Sequence, residues 1–395
     1  MKAIDDLDVT GRRVLLRLDL DVPIVGGRVV DDTRIRASLP TLTKLLSRDA
    51  KVVICAHRGR PGGRPDPRYS LAPVAARLSV LLGRPVVLAA STAGTPIQAA
   101  VEVFHHGGVV MLENLRYNAG ETSKDDTVRG RFADELAALA DAYASDGFGA
   151  VHRKHASVYD VPLRLPHAAG YLIQAEVAAL SRLTGNIRRP YVVVLGGAKV
   201  AGKIRVIGGL MKLADRIVIG GAMAFPFLAA QGHKVGTSPL NPAHVDLASG
   251  LLEQAGRVGV RIVLPSDVLV AAECTAEAPR EVADVDAIPA DQMALDIGPR
   301  SARSFAAEVA AAGTAFWNGP MGVFELAPYA AGTRAVIRGL TAGGAFTVVG
   351  GGDTAAALGA LGVTESVFNY VSTCGGASLE FLAGKTLPGL ISLQA

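Results

Sequence analysis

Short continuous runs of valine, isoleucine and leucine alternate with longer segments of helical periodicity along the whole sequence. Such runs fall at 14–20, 51–57, 85–90, 108–114, 141–147, 191–197, 215–221, 261–268, 293–299, 314–320 and 346–353. A run that is apolar at every position, instead of every second one, is typical of a parallel strand buried on both faces. The pattern therefore predicts an α/β protein with doubly wound, Rossmann-like parallel sheets.

The length of the chain predicts two such domains. Its 395 residues exceed what one hydrophobic core usually spans, and half of them are hydrophobic. Between the two series of runs, Ile173, Val177, Leu180 and Leu183 share one helical face, and Gly185 and Asn186 supply a stop. We expect domains at 1–169 and 188–376 with a helix at 170–187, which is either a hinge element or an ordinary core helix.

Charge and cysteine content exclude several other classes of protein. The formal net charge is only +4, and the arginines are scattered without a basic block, which argues against a nucleic-acid partner. The three cysteines are odd in number and far apart, so we expect free thiols in a reducing compartment. No apolar run approaches the length of a membrane span. These features predict a cytoplasmic protein without a membrane partner.

Basic and polar side chains follow the apolar runs of the first half. Because ligands of open parallel sheets bind beyond the carboxyl ends of the strands, these side chains are expected to converge on one rim. Arginine forks there would suit a small anion carrying phosphate or carboxylate. The residues are Arg17, Asp19, Asp21, His57, Arg58, Arg60, Arg116, His152, Arg153 and His155, together with Arg34 and Arg36 before a helical pattern.

The runs of the second half end in glycines and carry few charges, as in "GGAKVAGK", "NGPMGVFE" and "GGGDTAAA". Glycines let a nucleotide lie against the backbone, and amides at a helix start favour phosphate. Asp353, after three glycines, is placed to hold the magnesium of a bound nucleotide. One half suited to a small anion and the other to a nucleotide together predict phosphoryl transfer.

One stretch resembles a P-loop. Gly197 is followed after four residues by Gly202 and Lys203, but Ile204 stands where the magnesium-binding hydroxyl belongs. The match is therefore interpreted as accidental. Lys199 and Lys203 still follow a strand end and are expected to face the phosphates of a nucleotide.

Ten motifs in order resemble the phosphoglycerate kinase family over essentially the whole chain. They include "RLDLDVP", "DDTRIRASLPTL", "AHRGRP", "LENLRY", "HRKHAS", "LGGAKV", "WNGPMGVFE" and "GGGDTAAA". The resemblance implies two doubly wound domains joined by a central helix and closing around a cleft, with 377–395 returning to the first domain. It implies reversible phosphoryl transfer between 1,3-bisphosphoglycerate and Mg-ADP, giving 3-phosphoglycerate and Mg-ATP, by a monomer.

The same resemblance implies a role for each matching residue. Arg34, Lys199 and the amide of Gly352 would be catalytic, and Asp353 would hold Mg²⁺. Glycerate and 3-phosphate would be bound by Asp19, Asp21, Arg34, His57, Arg60, Arg116 and Arg153. The nucleotide would contact Gly197, Ala198, Lys203, Gly221, Ala222, Ala294, Asn318, Pro320, Val323, Glu325, Gly351, Gly352, Asp353 and Thr354.

The sequence departs from the family pattern at six positions in or beside these loops: Asp21, Arg58, Gly202, Ala222, Ala294 and Cys374. Asp21 adds a carboxylate where the family usually has asparagine, which favours either a changed substrate or a carboxylate neutralised by neighbouring arginines. The alternatives to the glycolytic kinase are an acyl-phosphate kinase for a related carboxylate and a non-catalytic nucleotide-binding protein. The pairs His105–His106 and His152/His155 lack the partners of a further metal site.

Overall fold

Two six-stranded parallel sheets form the framework of the protein. The computed structural model describes residues 1–102 and 107–395. Contacts divide the chain into a first unit, 1–177 with 386–395, and a second unit, 178–385. The domain boundaries expected from the sequence, at 169/170, 187/188 and 376/377, stay predictions.

The strands come in two series, one in each unit, and each series includes the six strands of one parallel sheet. In the first unit they are β1 (Arg13–Arg17), β2 (Ile24–Val25), β3 (Arg28–Val29), β4 (Lys51–Cys55), β5 (Val87–Leu88), β6 (Val109–Met111), β7 (Ala142–Ser145) and β8 (His167–Ala169). In the second unit they are β9 (Tyr191–Leu195), β10 (Arg216–Ile219), β11 (Arg261–Val263), β12 (Asp267–Ala271), β13 (Arg280–Asp284), β14 (Met293–Ile297), β15 (Thr314–Asn318), β16 (Phe346–Gly350) and β17 (Tyr370–Ser372).

All but the last two helices lie between strands that follow one another in the chain. They are α1 (Thr33–Ser47), α2 (Ala72–Leu82), α3 (Thr95–Glu102), α4 (Asp126–Ala137), α5 (Tyr171–Gly185), α6 (Val200–Lys203), α7 (Ile207–Leu210), α8 (Ala224–Ala230), α9 (Pro242–Val258), α10 (Pro299–Ala310), α11 (Ala331–Ala342), α12 (Gly352–Ala360), α13 (Gly375–Leu382) and α14 (Pro388–Ser392). α5 confirms the helix expected between the two series of runs. None of the helices in the described ranges is both long and apolar enough to cross a bilayer.

Local sequence explains where several helices begin and end. α9 starts with Asn241 as its cap, whose side chain accepts from the amide of Ala243, and with proline in its first turn. It ends at Gly259, which adopts a left-handed φ of 73°. The first turn of α4 is capped in the same way by the Asp125 carboxylate, which accepts from Thr127 and Val128. The turns that lead back to the next strand are thereby fixed.

The strand order in the first unit is β5-β6-β4-β1-β7-β8, and in the second it is β11-β10-β9-β15-β16-β17. Every pairing within these two sheets is parallel. The central strands are buried along almost their whole length, as continuous apolar runs require. The predicted fold class, two doubly wound α/β sheets, is confirmed, and the carboxyl ends of each sheet's strands lie at one edge.

The expectation that the run at 293–299 is a parallel strand is wrong. β14 pairs antiparallel with β12, and β13-β12-β14 form a separate three-stranded sheet. The run at 261–268 is also interrupted, because β11 ends at Val263 and Pro265 lacks a ladder donor. Asp267 then begins β12, and its carboxylate accepts from the amides of Arg300 and Ser301 at 3.0 and 2.8 Å. That carboxylate fixes the start of α10 to β12.

Candidate functional site

The first unit carries a basic site at the carboxyl ends of its neighbouring strands β1, β4 and β7. Arg17, the last residue of β1, is completely buried, and its Nη2 lies 2.9 Å from His57 Nδ1. Its Nε donates to Ser157 Oγ at 2.9 Å, and its Nη1 donates to the carbonyl of Leu18. The arginine is therefore held at three of its nitrogens beneath the sheet edge.

Glycerate-side residues expected from the sequence lie beside this arginine. Arg34, in the first turn of α1, pairs with Asp19 through Nη1 and Oδ1 at 3.1 Å. The Asp19 side chain is almost fully buried, and the arginine side chain is 29% exposed. A nearly buried carboxylate thus holds a partly open guanidinium at the sheet edge.

Asp21, one of the departures from the family pattern, is hydrogen-bonded to the loop that follows β4. Its Oδ1 accepts from the amide of Gly59 at 3.0 Å, and its Oδ2 lies 4.0 Å from His57 Nε2. Arg116 Nη1 donates to the carbonyl of Gly59 at 2.7 Å. Gly59 has a φ of +56°, and a Cβ there would meet the Tyr69 ring at 2.3 Å, so only glycine fits. The carboxylate is therefore held by a backbone amide and lies close enough to Arg116 to interact with its charge.

The remaining basic residues surround His57. Burial, followed by the charges of Arg17 and Arg116, holds the pKa of His57 well below its usual range. Burial and the same two arginines lower the pKa of His155 to about 3. Arg60 and Arg153 are exposed, and Arg153 Nε donates to His152 Nε2 at 2.9 Å. The structure thus brings the seven predicted substrate residues into one electropositive region.

Arg116 shows that this region is suited to an additional acceptor. Its Nε is buried and has no hydrogen-bond partner within the described residues. A buried donor without a partner carries a desolvation cost that a bound anion would remove. Glu121, fully buried nearby, was missed in the sequence; its only signal was the acidic residue after the "LENLRY" motif.

The second unit encloses a cavity of about 460 Å³ beside the carboxyl ends of β9, β10 and β15. Its wall is mostly apolar, which suits the flat face of a nucleoside. Ten of the residues expected at the nucleotide line it: Gly197, Ala198, Lys199, Gly221, Ala222, Ala294, Pro320, Val323, Glu325 and Asp353. Ala222 and Ala294, two departures from the family pattern, therefore place their methyl groups on this wall.

Five other predicted residues are not among the described residues that line the cavity: Lys203, Asn318, Gly351, Gly352 and Thr354. Lys203 Nζ donates to the carbonyls of Gly196 and Asn318 at 2.7 and 3.2 Å. Burial lowers the pKa of this lysine to about 8. The ammonium group lies under the glycine loops, so its charge would attract a phosphate bound above that backbone.

Asn318 and Thr354 hold the glycine loops together. The Thr354 hydroxyl accepts from the amide of Gly319 and donates to the carbonyl of Gly350, each at 2.8 Å. Asn318 Nδ2 is buried and has no partner within the described residues. A Cβ at Gly351 would lie 3.2 Å from this nitrogen. A second buried donor without a partner therefore faces the loop that begins α12.

Lys199 and Asp353 meet at the rim of the cavity. Lys199 Nζ lies 3.0 Å from Asp353 Oδ2, and Asp353 belongs to the first turn of α12. Within the described residues, no group of three or more histidine, cysteine or acidic side chains could hold a metal ion by itself. His105 and His106 lie outside the described residues. Any metal here needs oxygen ligands from a bound molecule in addition to Asp353.

Sequence reasoning missed part of the cavity wall. Asp296 is nearly buried, and its carboxylate accepts from the amides of Ile297 and Gly332, each at 2.8 Å. Burial raises its pKa to about 7. Cys274 is exposed on the same wall. Nothing in the sequence distinguished either residue, because the antiparallel sheet that carries Asp296 was not expected.

A chain in which one doubly wound sheet carries a glycine-lined cavity and another carries an electropositive site defines a class: an α/β phosphotransferase that uses a nucleotide. Comparison with known proteins narrows the class. The family model described as phosphoglycerate kinase matches residues 4–385. A phosphoglycerate kinase of Streptomyces avermitilis is 55% identical over 402 aligned residues, covering 100% of both chains.

Solved structures agree with the sequence comparison. Phosphoglycerate kinase from Coxiella burnetii has a TM-score of 0.82 and 37% identity, covering 99% of this chain and 98% of its own. The enzyme from Pyrococcus horikoshii has a TM-score of 0.86 and 30% identity, covering 100% and 98%. The chain belongs to the phosphoglycerate kinase family.

The resemblance inferred from the ten motifs is thereby confirmed, as is the function that it implies. The protein is an enzyme that transfers a phosphoryl group reversibly between 1,3-bisphosphoglycerate and ADP, giving 3-phosphoglycerate and ATP. Full-length identity of 55% does not favour the alternative of a kinase for a related carboxylate. The six departures therefore belong to a member of this family.

Proposed function

We propose that the basic site of the first unit binds phosphoglycerate and that the cavity of the second unit binds the nucleotide. The observation that carries the proposal is a buried donor in each place that has no partner among the described residues, Arg116 Nε in the first and Asn318 Nδ2 in the second. Each would gain an acceptor from a phosphate or carboxylate oxygen. The two ligands must meet for transfer, so we also propose that the units close on each other around a hinge at 170–187.

In the first unit, we assign the 3-phosphate of the substrate to the part of the site that carries most of the positive charge. His57, Arg60, Arg116 and Arg153 would bind it, and Asp19 and Asp21 would accept hydrogen bonds from the glycerate hydroxyl region. Arg34 would bind the reacting carboxylate, because its partner Asp19 already holds the guanidinium in place. An arginine fork matches a carboxylate with two parallel hydrogen bonds.

In the second unit, the apolar wall would hold the base, and Glu325 would accept from the ribose. The phosphates would lie over the glycine loops, reached by Lys203 and by the amides at the start of α12. Gly351 and Gly352 begin that helix, whose free amides favour an anion. Gly197, Ala198, Gly221, Ala222, Ala294, Asn318, Pro320, Val323 and Thr354 would complete the contacts or hold the loops.

Magnesium fits the chemistry of this donor set. Mg²⁺ is commonly held by one carboxylate together with nucleotide phosphates and water, and Asp353 supplies one half-exposed carboxylate at the cavity rim. When bound, the ion would neutralise charge on the phosphate oxygens. The protein residues perform the rest: Asp353 would hold the ion and leave Lys199 free to contact the phosphoryl group.

The acceptor oxygen needs no general base, because a carboxylate is already ionised at neutral pH. Catalysis would therefore come from alignment and from positive charge around the phosphoryl group in flight. Arg34, Lys199 and the amide of Gly352 would supply that charge.

The test is to compare Arg34→Ala with Arg36→Ala on the same helix. Arg36 is exposed and pairs with Asp32, which retains Arg77 as a second partner. With ATP and 3-phosphoglycerate as substrates, Arg34→Ala should lower kcat/KM by more than about 100-fold, the loss of roughly 2.7 kcal/mol of transition-state stabilisation. Arg36→Ala should remain within about threefold of the parent. Equal activity of the two variants would exclude the role given to Arg34.

We further propose that the enzyme works as a cytoplasmic monomer on small molecules, without a nucleic-acid or membrane partner. Scattered charge and three free cysteines support this proposal. Sedimentation of the purified protein at micromolar concentration tests the monomer.

A further inference from the structure

Four buried side chains form a continuous chain of hydrogen bonds under the anion site of the first unit. Ser157 Oγ lies 2.7 Å from Glu121 Oε1 and 2.9 Å from Arg17 Nε. Arg17 Nη2 lies 2.9 Å from His57 Nδ1. Glu121, Arg17 and Ser157 have no measurable exposure, and His57 is 7% exposed.

The direction of every hydrogen bond in this chain is fixed by the arginine. A guanidinium has five N–H donors and no acceptor. Ser157 Oγ therefore accepts from Arg17 and, with Glu121 ionised, gives its own proton to Glu121 Oε1. The Ser157 amide donates to Glu121 Oε2 at 3.0 Å, so both oxygens of the carboxylate act as acceptors.

The same reasoning fixes the histidine. Because Arg17 Nη2 can only donate, His57 Nδ1 must accept, and an accepting imidazole nitrogen carries no proton. The single proton then lies on Nε2, the nitrogen that faces the loop of Asp21, whose Oδ2 is 4.0 Å away.

We propose that Glu121, Ser157 and Arg17 are positioning residues that hold His57 neutral, with its proton on Nε2, and that His57 offers this proton to the phosphorylated substrate. The second half of the proposal rests on the function proposed above. The histidine then acts as a fixed hydrogen-bond donor, and the arginines supply the positive charge.

The charged groups around His57 support this assignment. Burial sets the pKa of His57 well below its usual range, and the guanidinium groups of Arg17, Arg34 and Arg116, from β1, α1 and the loop after β6, lower it further. His155, from the segment after β7, has a pKa of about 3 and is itself uncharged near neutral pH. Asp21 lies on the opposite side at 4.0 Å from Nε2. A second proton would have to enter on Nδ1, directly against a guanidinium N–H. The affinity for substrate should therefore not show, between pH 5.5 and 8, the pH dependence that ionisation of the His57 imidazole would cause.

The direct test is nitrogen-15 NMR of the full-length enzyme labelled at histidine, without substrate. His57→Gln identifies the His57 signals among those of the eight histidines. We expect one protonated nitrogen, Nε2, and one unprotonated nitrogen, Nδ1, with neither shift changing from pH 5.5 to 8. A proton on Nδ1, or on both nitrogens at pH 7, would overturn the proposal.

Two variants test the positioning role. Ser157→Ala removes the acceptor of Arg17 Nε, and should give a mixture of His57 tautomers and raise the KM for 3-phosphoglycerate about three- to tenfold, with kcat within about twofold. Tyr143→Phe is the matched control, because the Tyr143 hydroxyl donates to the carbonyl of Ser157 at 2.8 Å and lies outside the chain. It should leave both the tautomer and KM unchanged.

The outcomes separate the two proposals. If Ser157→Ala and Tyr143→Phe give the same tautomer and the same KM, Ser157 has no positioning role and this inference fails. If the Nε2 tautomer is found but His57→Ala leaves the KM for 3-phosphoglycerate unchanged, the histidine does not donate to substrate. The anion site itself would then be judged by the Arg34 comparison alone, which does not depend on His57.

Discussion

Lys199 Nζ and Asp353 Oδ2 lie 3.0 Å apart, although 154 residues separate them in the chain. The lysine follows β9 and the aspartate lies in the first turn of α12, which follows β16. Loops at the same sheet edge, after two strands that are separated by β15, therefore bring them together. Their side chains are 77% and 49% exposed, and such a pair contributes little free energy in water. A Mg-nucleotide could therefore separate the pair at small cost, with the cation meeting the carboxylate and the phosphate meeting the ammonium.

Replacing Asp353 tests this arrangement. Asp353→Asn removes the charge that would hold magnesium but keeps the shape, and we expect kcat/KM for Mg-ATP to fall by at least about 100-fold. The concentration of Mg²⁺ needed for half-maximal rate should rise. The control is Asp246→Asn, an exposed aspartate on α9. An unchanged magnesium dependence in Asp353→Asn would remove this residue from the metal site.

Lys203 should make nucleotide affinity depend on pH. Burial lowers its pKa to about 8, so the free enzyme loses this positive charge as the pH rises through 8. The affinity for Mg-ADP should be highest below pH 7.5 and should fall above 8, approaching a tenfold decrease for each further pH unit if only the charged lysine binds. Calorimetric titration from pH 6.5 to 9.5 measures this dependence.

The matched variant is Lys203→Met, which keeps much of the buried volume without the charge. Its affinity should be lower throughout and should lack the decrease above pH 8. A decrease of the same size in Lys203→Met would assign the pH dependence to another group.

Some strands of this protein can be predicted from the sequence, and others cannot be placed in the correct sheet. The strands at 191–195 and 314–318 were predictable because every position is buried and most positions are apolar. Strand β14 was misplaced because the same composition fits an antiparallel strand that lies outside the main sheet. Hydrophobic periodicity and composition indicate whether a strand is buried, but they do not identify the strand with which it pairs.

The candidate site shows the same limit. Asp353 was singled out because a charged residue after an apolar run stands out in a sequence, and Arg34 because it lies directly before a helical pattern. Glu121 and Ser157 were missed because their importance lies in contacts made across 36 residues, between a loop after β6 and one after β7. Contacts of that kind depend on how the strands are ordered in the sheet.

Two glycines of the second unit should respond to alanine in opposite ways. Gly319 has a φ of +110°, and a Cβ there would lie 2.1 Å from the carbonyl oxygen of Gly196. Gly202 lies in α6 with nothing within 4 Å of an added Cβ. Gly319→Ala should lower the free energy of unfolding by about 2–4 kcal/mol because backbone has to move, whereas Gly202→Ala should change it by less than about 1 kcal/mol, in the stabilising direction.

The chain has one tryptophan, Trp317, which is buried in the second unit, so its fluorescence in a urea titration reports on that unit. If Gly319→Ala is as stable as the parent protein, the tight approach of the loops at 196 and 319 is contradicted. If Gly202→Ala is destabilised as much as Gly319→Ala, the open environment of Gly202 is contradicted.

Asp21→Asn restores the residue usual in the family and tests whether the extra carboxylate tunes the substrate. Asn keeps an oxygen that can accept from the Gly59 amide, so the loop should keep its conformation. Removing a negative charge beside an anion site should lower the KM for 3-phosphoglycerate, and we expect a change of less than about tenfold, or 1.4 kcal/mol, because neighbouring arginines already offset the carboxylate. Steady-state rates at pH 7 with ATP measure the change. A gain in kcat/KM well above tenfold would instead mean that Asp21 disfavours phosphoglycerate, and a panel of related phosphorylated carboxylates would then have to include a better substrate for the parent enzyme.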